Sequence, residues 1–208
     1  MKRIVIAGIG TGVGKTFIAA ILTEAWEADY WKPIQSGNLA ATDTDFVKEH
    51  VSNEKSFFHP EAYRLTEPMS PHVAAKIDEL EIDSRKLSVP ATTRPLLIEL
   101  AGGLMVPLND SELNIDLLIQ WNAPVILVSQ NYLGSINHTL LSVEILKIRK
   151  IKLMGIIFNG LRSRSTEDFI LKYTGVSCLA KVDQAAQVNK EIIRQYAATL
   201  KAELKNLF

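Results

Sequence analysis

The amino-acid sequence predicts an α/β fold in which a mostly parallel sheet is covered by helices on both faces. The chain opens with an apolar strand pattern, a glycine-rich loop and a pattern of helical length, at residues 3–7, 8–14 and 15–28. Later apolar runs of strand length do not alternate with polar residues, as is typical of strands buried on both faces of a parallel sheet. Helical patterns separate these runs, and this repeated order predicts a helix-covered parallel sheet.

The predicted elements follow in a regular order along the chain. After the opening strand and helix, the sequence predicts strands at residues 96–100, 124–129 and 152–158. Helical patterns lie at residues 46–51, 115–121, 136–148 and 166–173, and a closing helix has one apolar stripe between residues 188 and 204. Residues 53–71 contain three prolines and are predicted to form a long irregular loop.

Length and composition limit the class of protein. The 208 residues, 47% of them apolar, suit a single domain, expected over residues 1–208. The 23 basic residues balance 23 acidic ones, so we expect no nucleic-acid partner. No apolar run approaches the roughly 20 residues of a membrane span, and the stretch after Met1 is too short for a secretory signal. We therefore expect no membrane partner and a cytoplasmic location, and we interpret the single cysteine, Cys178, as a core residue.

The strongest chemical signal is the loop between the first predicted strand and helix. Its sequence is Gly8-Ile9-Gly10-Thr11-Gly12-Val13-Gly14-Lys15-Thr16. Backbone N–H groups and the positive end of a helix can hold a polyphosphate at such a position. The loop is a variant of the pattern G-x-x-x-x-G-K-[ST], because the first glycine lies one residue early. It predicts nucleotide binding, with Lys15 at the β/γ-phosphates and Thr16 as a ligand of Mg²⁺.

Two regions offer a carboxylate for this magnesium site. Glu99 ends an apolar run and is followed by Ala101-Gly102-Gly103, where glycines indicate close approach of a ligand or of backbone. Asp43 and Asp45 precede a predicted helix, and their alternative role is to cap it. Position alone leaves these two roles open.

Five motifs in order give a more specific resemblance. A second lysine, Lys32, lies in a Lys-Pro-x-x-Ser-Gly segment after the first predicted helix. The other motifs are the variant loop, Pro68-Met69-Ser70-Pro71-His72, Glu99-x-Ala-Gly-Gly and Leu133-Gly134-Ser135-Ile136-Asn137-His138-Thr139. In this order and spacing, over nearly the whole chain, the sequence resembles the dethiobiotin synthetases of biotin biosynthesis.

The resemblance implies a homodimeric ligase that uses ATP, Mg²⁺ and CO2 to close a cyclic urea on 7,8-diaminopelargonate. It implies catalytic roles for Lys32, Lys15 and Thr11. The positions that it implies for ATP are Gly12, Val13, Gly14, Lys15, Thr16, Phe17 and Asn159, and those for Mg²⁺ are Thr16, Asp45 and Glu99, with Asp43 as a second choice. It further implies substrate contacts at Ser36, and at Gly134 and Asn137 near a two-fold interface.

The chain also departs from the pattern of that family. Gly12 stands where an acidic residue is common, Leu100 stands where glycine is common, and residues 181–183 lack a proline expected near the base. An alternative class is a switch ATPase of the deviant P-loop kind, which partitions plasmids or places division sites and shares this fold. Such proteins usually carry a lysine early in the loop, where this chain has Gly10.

Overall fold

The computed structural model describes residues 2–185 and 187–204. Within them the chain forms nine strands, seven α-helices and one short 3-10 helix, Ser84–Lys86. The strands are β1 (Arg3–Gly8), β2 (Asp29–Trp31), β3 (Ile34–Ser36), β4 (Phe58–His59), β5 (Tyr63–Leu65), β6 (Leu96–Gly103), β7 (Val125–Gln130), β8 (Leu153–Asn159) and β9 (Cys178–Val182). The helices are α1 (Lys15–Trp26), α2 (Asp43–His50), α3 (Pro71–Ile77), α4 (Asn114–Trp121), α5 (Ser135–Ile148), α6 (Arg164–Thr174) and α7 (Lys190–Glu203).

Seven of these strands form one sheet in the order β4-β2-β6-β1-β7-β8-β9. Every neighbouring pair in this sheet is parallel. The short strands β3 and β5 form a second parallel pair. The predicted α/β fold with a mostly parallel sheet is therefore confirmed.

Both faces of the central strands are covered. Consecutive side chains of a strand point to opposite faces, yet residues 4–8 of β1 and residues 125–129 of β7 are all buried. Helix α1 packs against α2 and α7, whereas α5 packs against α6. Cys178 begins β9 and lies half-buried against the core. In the described part of the chain, no helix has both the length and the apolar character that a membrane span requires.

The predicted irregular loop over residues 53–71 is wrong in part. It contains β4 and β5, and α3 begins at its last residue. The strands β2 to β5 have only two or three residues each, which is too short for a periodic pattern to indicate them. Their backbone groups find partners only in the folded sheet, where Tyr30 of β2 lies between Leu97 of β6 and Phe58 of β4.

The register of β1 and β6 brings the chemical motifs together. Ile6 lies beside Glu99, and Gly8 lies beside Gly103. The glycine-rich loop leaves β1 at its carboxyl end, so the carboxylate of β6 reaches the same edge of the sheet as Lys15. Ligands of open α/β sheets bind in the crevice outside the carboxyl ends of the strands.

Candidate active site

A cavity of about 560 Å³ lies at this edge of the sheet. Its walls come from the glycine-rich loop, the chain around β3, the start of α2, the residues before α3 and the end of β6. The lining residues are Thr11, Gly12, Gly14, Lys15, Thr16, Lys32, Gln35, Ser36, Asn38, Asp43, Pro68, Met69, Ser70, Pro71, Glu99, Ala101, Gly102 and Val106. Residues from four of the five motifs therefore face one space.

Asn159, at the end of β8, contacts the glycine-rich loop. The Nδ2 atom of Asn159 donates a hydrogen bond to the carbonyl oxygen of Val13 at 3.0 Å. Gly14 has a φ of +89°, and a Cβ at this position would lie 2.0 Å from the same Nδ2 atom. Glycine is required there because a side chain would meet both backbone strain and a clash. The predicted base-contacting residue thus lies directly against the loop.

Lys15 is the buried cation of the loop. Its Nζ atom donates to the carbonyl oxygen of Gly10 at 3.0 Å. Burial lowers the pKa of Lys15 to about 8, the negative charge of Glu99 partly opposes this shift, and the positive charge of Lys32 adds to it. A bound polyphosphate would supply the anionic partner that this ammonium group lacks in the described chain.

Glu99 is the centre of a buried polar cluster. Only 1% of its surface is exposed. The hydroxyl of Thr16 donates to Oε1 of Glu99 at 2.8 Å, and the Nζ atom of Lys32 lies 3.5 Å from the same oxygen. The hydroxyl of Tyr30 donates to Oε2 at 2.8 Å. Two site residues predicted from separate motifs, Thr16 and Lys32, therefore meet on one carboxylate.

The structure separates the two aspartates that the sequence left open. Asp43 lines the cavity and forms an ion pair with Lys32. Asp45, the predicted metal ligand, is exposed and caps α2 instead: its Oδ2 atom accepts from the backbone N–H and the hydroxyl of Thr42, both at 2.9 Å. These contacts lower the pKa of Asp45. This placement favours Asp43 over the predicted Asp45 at the metal site, because Asp43 lines the cavity whereas the carboxylate of Asp45 caps its own helix.

Ser36 contributes an unpartnered polar atom to the cavity. Its hydroxyl oxygen is buried and has no hydrogen-bond partner among the described residues. The neighbouring Gln35 is committed to the backbone, since its Nε2 atom donates to Gly37 and its Oε1 atom accepts from the N–H of Asp43. A buried hydroxyl without a partner costs free energy, so Ser36 is suited to contact a polar ligand.

Six of the predicted site residues do not line this cavity: Asp45, Val13 and Asn159, described above, and Phe17, Gly134 and Asn137. Phe17 packs edge-on against Tyr196 of α7, with ring centroids 6.1 Å apart. Gly134 and Asn137 are exposed at the amino end of α5. The resemblance implied a role for each of these three residues, and the fold places all three outside the cavity lining.

The donor set fits a magnesium ion. Mg²⁺ prefers oxygen ligands and is usually held by one or two carboxylates together with phosphate oxygens. The hydroxyl of Thr16 and the carboxylates of Asp43 and Glu99 all face the cavity beside the glycine-rich loop. These three residues could hold the ion.

Sequence reasoning missed two residues of the site, Tyr30 and Gln35. Tyr30 lies outside the quoted motifs, so the sequence does not indicate a role for it. Only the pairing of β2 with β6 reveals its contact with Glu99. Gln35 lies inside the Lys-Pro-x-x-Ser-Gly segment at a position that the motif leaves free.

The fold and the site together define a P-loop NTPase. The septum site-determining protein MinD from Pyrococcus horikoshii matches 99% of this chain and 95% of its own, with a TM-score of 0.65 and 16% identity. The ParA family ATPase from Chlorobium tepidum matches 99% and 91%, with a TM-score of 0.58 and 17% identity. At such low identity these likenesses concern the fold alone.

Sequence comparison narrows the class. A family model described as an AAA domain matches residues 2–192. The ATP-dependent dethiobiotin synthetase of Cytophaga hutchinsonii is 46% identical over 96% of this chain and 97% of its own length. That of Christiangramia forsetii is 46% identical over 98% of both chains, and that of Chlamydia pneumoniae is 42% identical over 95% of this chain and 88% of its own. This chain belongs to the dethiobiotin synthetase family, which confirms the resemblance.

Proposed function

We propose that this protein closes a cyclic urea on 7,8-diaminopelargonate with CO2 and ATP, giving dethiobiotin, ADP and phosphate. The observation that carries the proposal is the pair of buried lysines, Lys15 and Lys32, which line one cavity together with the carboxylate of Glu99. One lysine belongs to the phosphate-binding loop, and the other belongs to the Lys-Pro-x-x-Ser-Gly segment. A reaction that joins a transferring phosphoryl group to an anionic acceptor requires cations at both places.

The phosphate side is formed by the start of α1. Lys15 contacts the β/γ-phosphates, and the backbone N–H groups of residues 12–16 hold the remaining phosphate oxygens. Asn159 contacts the adenine, because its amide can both donate to and accept from a base edge. Val13 and Phe17 support this end through the backbone of the loop and through packing on α7.

Thr16, Asp43 and Glu99 hold Mg²⁺. When bound, the ion neutralises charge on the β- and γ-phosphate oxygens. Thr16 is suited to this role because its hydroxyl can donate to Glu99 while a lone pair faces the cavity. Asp43 can exchange its pairing with Lys32 for this role when the cavity is filled.

The acceptor side is formed by Lys32, Ser36 and Thr11. One substrate amine adds to CO2 and releases a proton, which leaves a carbamate. The carbamate oxygen takes the γ-phosphoryl group and ADP leaves. The second amine then attacks the carbonyl carbon, loses a proton and expels phosphate, which closes the ring. Lys32 stabilises the carbamate oxygens, and the hydroxyls of Ser36 and Thr11 bind the anion.

Catalysis by these residues is positional and electrostatic. The proposed steps need no protein nucleophile, because the substrate amines attack in both bond-forming steps. Lys15 and Lys32 bring two anions together that would repel each other in water, and the buried walls strengthen both contacts.

The assembly is proposed to be a homodimer of single-domain chains, each formed by residues 1–208. Gly134 and Asn137 lie outside the cavity of their own chain, and we assign them to substrate contacts at the two-fold interface. The working partners are the small-molecule substrates, without a nucleic acid or a membrane, and the place of action is the cytoplasm.

The test compares the amounts of ADP and dethiobiotin that the protein forms. Purified protein with ATP and Mg²⁺ is expected to release ADP only when diaminopelargonate and bicarbonate are both present, with one dethiobiotin formed for each ADP. Lys32→Ala is expected to lower the rate roughly 10²-fold, the effect of removing one charge-stabilising contact. The matched control is Lys55→Ala, an exposed lysine paired with Glu27, which should leave the rate unchanged. ATP turnover that ignores the diamine would contradict the proposal and support a switch ATPase.

A further inference from the structure

We infer that Tyr30 is a positioning residue, which holds one oxygen of Glu99 so that the other is presented to the metal. The inference rests on the proposed magnesium role of Glu99. It concerns a side chain outside the cavity wall that no motif indicates.

The position of Tyr30 follows from the strand register. Tyr30 of β2 lies beside Leu97 of β6, and Glu99 is two residues further along the same strand. Side chains alternate between the faces of a sheet, so Tyr30 and Glu99 lie on the same face as diagonal neighbours. A tyrosine is long enough to span this diagonal, and its hydroxyl lies 2.8 Å from Oε2 of Glu99.

The contact is fully buried at both ends. Tyr30 has no exposed surface and Glu99 has 1%. A carboxylate oxygen can only accept, so the hydroxyl of Tyr30 is the donor of this hydrogen bond. Removal of this donor would leave Oε2 buried and unsatisfied.

The two oxygens of Glu99 therefore have different roles. Oε2 is bound by Tyr30 inside the core, whereas Oε1 faces Thr16 and Lys32 at the cavity. Without Tyr30, the carboxylate could rotate to satisfy Oε2 with Thr16 or Lys32, and its metal-binding oxygen would be misdirected. Outer hydrogen-bond partners of metal ligands act in this way in other proteins.

The experiment measures how strongly Mg²⁺ and ADP support each other's binding, which requires no diamine. ADP is titrated calorimetrically into wild-type protein and into Tyr30→Phe, with and without Mg²⁺. We expect ADP affinity without Mg²⁺ to stay unchanged and the gain from Mg²⁺ to fall about tenfold. The matched control is Tyr63→Phe, which removes a hydroxyl that accepts from the N–H of Asp83; neither residue lines the cavity. It should keep the full gain.

An unchanged gain from Mg²⁺ in folded Tyr30→Phe would overturn the inference, whatever the thermal stability of the variant.

A second measurement does not use the Tyr30→Phe variant. The five tyrosines are replaced by 3-fluorotyrosine, and the fluorine resonance of Tyr30 is assigned by exclusion, with Phe at each of the other four positions. We expect it to shift when Mg²⁺ is added to the ADP complex, and a fixed resonance would contradict the inference. If both expected Mg²⁺ results are found but the wild-type protein forms no dethiobiotin, the inference stands and the proposed function is contradicted.

Discussion

Two aspartates at the start of α2 have different roles, although they are two residues apart. Asp43 faces the cavity and pairs with Lys32, whereas Asp45 accepts from Thr42 as part of a capping box. The difference follows from helix geometry, because residues i and i+2 of a helix lie on different faces. A conservative change at each position should therefore affect a different property.

Asp43→Asn is expected to raise the Mg²⁺ concentration needed for half-maximal turnover roughly tenfold or more, because a charged oxygen ligand is lost. Asp45→Asn is expected to leave this concentration unchanged and to lower the free energy of unfolding by about 1 kcal/mol or less, the usual range for a capping contact. Turnover is measured against Mg²⁺, and stability by urea unfolding. The opposite assignment of the two effects would restore Asp45 as the metal ligand.

Glu167, a buried carboxylate of α6, contacts residues at the ends of β7 and β9, near Asn159. Glu167 is fully buried and accepts from both Nε and Nη2 of Arg162, at 2.9 and 2.7 Å, and from Lys181 of β9. Asn131, which follows β7, donates to it at 3.0 Å. Burial alone would raise the pKa of Glu167, but these donors outweigh it and lower the pKa to about 2.

This network makes a prediction about acid stability. The folded pKa of Glu167 lies below its ordinary value of 4.5, so its contribution is fully present above about pH 4.5 and is lost as the pH falls toward 2. Glu167→Gln is expected to cost roughly 3 kcal/mol at pH 7, the lower end for a broken buried pair. Urea unfolding should give the same difference at pH 7 and pH 5 and a smaller one at pH 3.5. Glu191→Gln, at an exposed pair with Arg194, is the control, and an equal effect there would contradict the prediction.

The elements differ in how far the sequence predicts them. Long buried strands such as β1, β7 and β8 have continuous apolar runs, and helices such as α1 and α5 have enough turns for a pattern. Strands of two or three residues have no such pattern, since their pairing partners are distant in sequence. The site follows the same rule. The motifs predicted Lys15, Thr16, Lys32, Ser36 and Glu99 at the cavity, whereas Tyr30 depends on register and the choice of Asp43 depends on which face of α2 meets the cavity.

At the scale of the whole molecule, an apolar surface remains exposed on α5, α6 and the loops before them. Leu133 is fully exposed, and Leu141 and Ile148 are 60% and 70% exposed. Leu141 and Ile148 are seven residues apart, so they lie two turns apart on one face of α5. Phe169 and Tyr173 of α6, which packs against α5, add two stacked exposed rings. Large exposed apolar patches are typical of protein–protein contacts.

If the protein is a homodimer, substitutions on this apolar surface should disrupt it. Sedimentation is expected to give twice the 23.1 kDa mass of one chain, with an isologous interface around α5. The double variant Leu141→Asp with Ile148→Asp should sediment as a monomer, because buried carboxylates without partners disfavour association. Its KM for the diamine should rise while its KM for ATP stays constant, since Gly134 and Asn137 would then reach no partner. Ile77→Asp, on the exposed side of α3, is the control and should stay dimeric. A wild-type monomer with full activity would rule out the assignment of Gly134 and Asn137 to a shared site.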